Sequence, residues 1–72
     1  MVTNYIGADV DCRMTELAVE RKGKIVARDR VPTDIKSLSS FLGSIGGKKE
    51  MVVEEGQMAG WLYRNLRARV TF

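Results

Sequence analysis

The chain has no histidine and a single cysteine, Cys12, among its 72 residues. The first absence removes Ser-His-Asp and Cys-His catalysis, zinc-finger sites and imidazole acid–base chemistry from the visible sequence. The second rules out an internal disulfide, and a reducing cytoplasm is the simplest setting for such a chain. Long apolar runs are missing too. Nothing approaches the roughly 20 residues needed to span a bilayer, and the N-terminus lacks the basic-then-apolar layout of a signal peptide. No large excess of either charge is present: the net charge is +3, which is compatible with a polyanionic partner without demanding one.

What is present is globular. The chain is 44% hydrophobic and 29% charged, with no low-complexity stretch, so it is expected to fold. Its length allows one small domain, near the lower limit for a self-sufficient core. Any chemistry must rest on carboxylates, Lys/Arg, hydroxyls or Cys12.

Asn4 to Val10 (NYIGADV) reads as a first strand. Ile6, Ala8 and Val10 alternate with Tyr5, Gly7 and Asp9. Both sets are largely small or apolar, which suits a central strand covered on two faces. A carboxylate at its end, Asp9, is out of place as core. Met14 to Glu20 alternates next, with Thr15, Leu17 and Val19 opposed to Glu16 and Glu20. Arg21 to Lys24 is a turn in which Gly23 supplies a positive φ. Lys24 to Val31 is the third strand of an antiparallel meander, closed by Pro32 and by Thr33 as a helix N-cap.

From Asp34 to about Ser44 the period becomes helical, with Ile35, Leu38, Phe41, Leu42 and Ile45 on one stripe. Gly46 and Gly47 end that helix, and Lys48 and Lys49 read as a linker. Glu50 to Glu54 is a fourth strand. Met58, Trp61, Leu62 and Leu66 mark a second helix running to about Arg67, and Arg69 to Phe72 reads as the start of a fifth strand. The order is β-β-β-α-β-α-β. The right-handed crossover rule sets the fourth strand beside the first and parallel to it.

Two acids then fall at one edge of the sheet: Asp9 ends the first strand and Glu54 the fourth. Neighbouring strands lie about 4.8 Å apart, so the two side chains can share a hard cation. Oxygen ligands without His or Cys point to Mg²⁺ or Mn²⁺. Such ions clamp the attacking and leaving oxygens of a phosphodiester displacement. The plainer reading, that acids at strand ends are solvated caps, is preferred for Asp11, Glu16, Glu20, Asp29 and Glu50. Glu54 and Glu55 point to opposite faces, so only one of them can meet Asp9.

These segments, YIGADVD at the start and MVVEEG…WLYRNL after the first helix, resemble the N-terminal RuvC-like (ribonuclease-H-like) domain of DEDD-type insertion-sequence transposases, the group of Piv-like recombinases. The resemblance covers nearly all 72 residues, although each motif is short and degenerate. Carried over by position, Asp9 matches the first catalytic and metal-binding acid and Glu54 the second. Glu55 and Gly56 stand where the family usually has small residues, which keeps Glu55 as the alternative second acid.

The resemblance implies metal-dependent DNA cleavage and strand transfer, with DNA and in some members a guide RNA as partners. It also implies that residues 1–72 form a partial domain, truncated before the last catalytic helix and inactive alone. A sheet face left open in such a unit would favour a homo-oligomer.

Arg64 and Arg67 on the second helix are candidate nucleic-acid contacts, as are Arg21, Lys22 and Lys24 at the hairpin tip. The simpler reading for each group is a solvated basic end, which in the helix also suits the macrodipole. Trp61 lies in the apolar stripe and reads as core; Tyr63 is open to core or base stacking. Cys12 lacks a partner base and reads as a bystander thiol.

Two rival functions remain. One is an actin-like ATPase or sugar kinase, whose phosphate hairpin needs a glycine where this chain has Asp11. The other is a non-catalytic interaction module whose edge strand pairs with a partner.

Overall fold

The structure, a computed structural model, describes residues 2–53 and 58–72. Strands β1 (Thr3–Val10), β2 (Met14–Arg21) and β3 (Lys24–Pro32) are followed by helix α1 (Ile35–Gly43), strand β4 (Lys48–Val53) and helix α2 (Ala59–Leu66). The sheet order is β3-β2-β1-β4. The meander pairs antiparallel, and β4 lies parallel to β1 in a register running from Thr3↔Lys48 to Ala8↔Val53. The expected adjacency of the first and fourth strands is therefore present.

Beyond β4, Thr71 makes a parallel bridge to Glu50, with Met51 N donating to Thr71 O and Thr71 N to Lys49 O. The fifth strand expected over Arg69 to Phe72 is thus reduced to a one-residue bridge on the far side of β4: residues 67–70 are turn and bend, and the sheet has four strands.

The core lies between one sheet face and the two helices. Ile6 and Ala8 from β1, Leu17 and Val19 from β2, and Met51 from β4 meet Leu38 and Leu42 of α1 and Leu62 and Leu66 of α2. Both helices sit on this face for a topological reason. The steps β3→β4 and β4→Thr71 progress in the same direction across the sheet, and two right-handed crossovers in one direction fall on one side.

That geometry corrects the expectation for the first strand. It is central but covered on one face only: Tyr5, Gly7 and Asp9 are exposed, while Ile6 and Ala8 are buried.

Two local expectations change as well. Asp34, not Thr33, caps α1, its carboxylate accepting from Ser37 N at 2.6 Å. Thr33 instead latches the sheet: its hydroxyl donates to Asp11 O at 2.6 Å and lies 2.8 Å from the Thr15 hydroxyl. A hydroxyl has one proton, so the buried Thr15 is the donor to Thr33. Lys48 and Lys49 are strand rather than linker, because pairing with Thr3 and Asn4 on one side and Thr71 on the other rewards extended backbone.

Two further devices set the strands. The β2–β3 turn has positive φ at both Lys22 (53°) and Gly23 (79°), the pattern of a two-residue mirror-image turn that matches strand twist. Asn4 is buried, donating to Gly46 O at 2.8 Å and accepting from Arg21 Nε at 2.7 Å. It ties the loop before β4 to the start of β1 and the end of β2.

Candidate functional site at the open sheet face

Strand alternation sorts side chains cleanly once the helices claim one face. Opposite the core, the cross-strand register lays out three rows from β3 towards β4. Arg30, Glu16 and Asp9 form the first, at the C-terminal end of β1. Arg28, Ala18, Gly7 and Val52 form the second, and Ile25, Glu20, Tyr5 and Glu50 the third. Val26 is the extra residue of a bulge in β3 opposite Val19 and Glu20.

The middle row is a shallow concavity. Gly7 and Ala18 form its floor, with Arg28 and Val52 on opposite walls and Asp9 and Glu16 at one end. A Cβ added at Gly7 would meet nothing within 4 Å. The floor is therefore low because of residue size and not because a neighbour crowds it.

Asp9 is exposed at the penultimate position of β1. Its direct cross-strand partner is Glu16, and like charges so opposed are unfavourable unless a cation intervenes. Arg30 supplies part of that compensation, its Nε lying 3.9 Å from Glu16 Oε1. Both side chains are about two-thirds exposed (66% and 67%), so this pair is worth little and restrains neither group strongly.

Asp11 stands on the same rim and lines a small hollow with Asp9, Glu16 and Arg30. Hydrogen bonds from Cys12 hold the Asp11 carboxyl below its ordinary value. The same contact and the Asp11 charge push the Cys12 thiol up, which disfavours thiolate and leaves Cys12 a poor nucleophile.

Glu54 and Glu55 lie outside the described residues. The β1–β4 register ends at Ala8↔Val53, one residue before Asp9 in β1 and at the last residue of β4. Among the described residues, no three His, Cys, Asp or Glu side chains converge in a way that could hold a metal ion. Asp9 with Glu16 across from it is a partial oxygen donor set, of the hard-ligand kind that suits Mg²⁺ or Mn²⁺.

Arg64 and Arg67 are not brought together with Asp9. They belong to the helix layer on the opposite side of the sheet. α2 runs back from the β4 exit towards Thr71, which leaves Arg67 near the N-terminal end of β4. Trp61 packs against the core cluster as expected. Tyr63 is exposed and meets Phe72, with ring centroids 5.5 Å apart.

Arg28, Arg30 and Tyr5 were not singled out in the sequence. Their signal is the alternation itself: each shares a face with Asp9 once β1 is known to be open on that side.

Among the described residues, no helix is long and apolar enough to cross a membrane. Comparison of the chain with protein-family models, with curated proteins and with solved structures finds no match.

Proposed function

We propose that this chain is the acid-bearing part of a ribonuclease-H-like enzyme that cuts and joins DNA with Mg²⁺ or Mn²⁺, as in the transposases it resembles. The observation that carries the reading is the parallel pairing of β1 and β4, whose C-terminal ends share one rim with Asp9 exposed there. A β3-β2-β1-β4 order, with a parallel bridge from Glu50 to Thr71 beyond β4, supports it.

In this reading Asp9 binds the cation and Glu54 is the second acid. Along β4, Glu50 and Val52 fall on the Asp9 face whereas Met51 belongs to the core, so Glu54 would share that face if the alternation continued past Val53, and Glu55 is the alternative if it did not. Asp9 and Glu54 would hold the cation, whose contribution there would be to polarise a phosphodiester and activate an attacking oxygen. The chain's own part is to hold carboxylates on a rigid sheet rim, with Glu16 adding negative potential beside Asp9.

The ATPase reading is weaker because Asp11, exposed and held in its charged form, stands at the hairpin that phosphates would have to approach.

The test is Mn²⁺ affinity followed by electron paramagnetic resonance. Weak binding is expected in the wild type, lost in Asp9→Asn and reduced in Glu54→Gln but not in Glu55→Gln. Undiminished binding by Asp9→Asn would remove Asp9 from the site.

A further inference from the structure

We infer that the edge strand β3 is a track for a nucleic-acid backbone, with Arg28 and Arg30 as its phosphate contacts. The inference rests on the nucleic-acid reading above, but concerns binding and needs no metal.

The first observation is where the charge sits. Between Arg21 and Arg30, five of ten residues are Lys or Arg and one is Asp, a local charge of +4 against +3 for the whole chain. The rest of the protein sums to −1, although Arg64, Arg67 and Arg69 form a second, smaller basic group at the end of α2, so the β2–β3 hairpin is the larger concentration of positive charge.

The second is exposure. Every residue of that segment is exposed, and β3 is the sheet's outer strand beside β2. These cations are free of the structural duties of a core, apart from Arg21, which is bonded to Asn4. The single ion pair among the described residues, Arg30 with Glu16, is long and solvated, so Arg30 can exchange it for a phosphate at small cost.

The third is direction. Arg28 pairs across from Ala18 and Arg30 from Glu16, so both stand on the face that carries Asp9. Two residues apart on a strand, they are about 6.8 Å from each other, a spacing suited to successive phosphates. Arg30 lies two strands from Asp9, about 10 Å. Glu16 stands between them, and in the adjoining row Gly7 and Ala18, beside Arg28, leave a low floor on which a backbone can rest. A strand held along β3 thus passes beside the acidic rim. Arg64 and Arg67 sit on the other layer and cannot serve the same track.

The experiment compares two charge-matched variants, Arg28→Gln/Arg30→Gln and Arg64→Gln/Arg67→Gln. Each removes two positive charges, so any general electrostatic effect is the same in both. Binding of a fluorescein-labelled single-stranded DNA is read by anisotropy in EDTA, which separates this test from the metal reading, and circular dichroism checks folding. The β3 variant should bind about 20-fold more weakly at 0.1 M salt. Its log–log salt slope should be shallower by about 1.4, two phosphates at roughly 0.7 each. The α2 variant should stay near wild type, and Arg28→Lys/Arg30→Lys should retain most binding because the charge remains.

Four outcomes would overturn the inference. They are no DNA binding by the wild type, equal losses in the two Gln variants, a loss confined to the α2 variant, or binding to phosphatidylserine vesicles without binding to DNA. Loss of DNA binding in the β3 variant with unchanged Mn²⁺ affinity would leave both readings standing. Loss of Mn²⁺ binding in Asp9→Asn with intact DNA binding would confirm that the two sites act separately.

Discussion

Thr33 and Asp34 divide two tasks that either residue's chemistry could perform. Asp34 satisfies the free amide of Ser37, and Thr33 passes a hydroxyl chain from buried Thr15 to Asp11 O. Thr33→Val keeps the shape but deprives Thr15 of its acceptor. The expected cost is about 1–3 kcal/mol, seen as a lower urea midpoint.

Asp34 gives a pH signature of known sign. The Ser37 amide holds its carboxyl below the ordinary 3.8. Its contribution is complete above 3.8 and disappears as the pH falls through the lower folded-state value. Asp34→Asn, an equally good cap, should match wild type at pH 7 and lose less stability between pH 4 and pH 2. Identical acid profiles would show that the cap does not form.

At the scale of elements, the strands and helices were legible because their periods are sharp. Thr15, Leu17 and Val19 against Glu16 and Glu20 announce a strand, and Ile35, Leu38 and Leu42 announce a helix. The crossover was legible from handedness. The open face was not, because Tyr5 and Gly7 do not look like solvent-facing residues. Whether they are covered depends on which side both helices choose, and strand alternation does not encode that choice. Arg28 and Arg30 carry no signal in the sequence for the same reason: their face acquires meaning only when Asp9 shares it. Glu54 and Glu55 were legible as candidates, and the pairing that ends at Ala8↔Val53 stops just short of deciding between them.

The hairpin supplies an element-scale prediction. Lys22 sits at φ 53°, a conformation that costs a residue with a Cβ roughly 1–2 kcal/mol and that Asn tolerates better. Lys22→Asn creates the Asn-Gly pair that this turn prefers and should raise stability by about 0.5–1 kcal/mol in chemical denaturation. A loss would mean that the turn differs in solution.

For the whole molecule, one small core carries the sheet. A 72-residue chain at about 0.05–0.15 kcal/mol per residue has roughly 4–11 kcal/mol of stability. Leu62 is fully buried beneath the sheet, and Leu62→Ala should remove about 2–5 kcal/mol of that, enough to leave the protein marginal at 37 °C. The opposite face contributes no such packing. It exposes Val52 (66%) and Tyr5 (48%) beside Asp9 and the β3 arginines, and so is available for binding.

In the proposed reading the two faces divide stability from chemistry, with the β1–β4 rim as the reactive edge. The most direct test of that rim is paramagnetic broadening of ¹⁵N-labelled protein by substoichiometric Mn²⁺. Resonances of Asp9, Val10 and Asp11 on one side and Val53 on the other should broaden first, while those of Gly23 at the hairpin tip and Arg67 at the end of α2 remain sharp. Broadening centred on Glu20 and Glu50 at the opposite end of the face, or none at any Mn²⁺ concentration, would contradict the assignment.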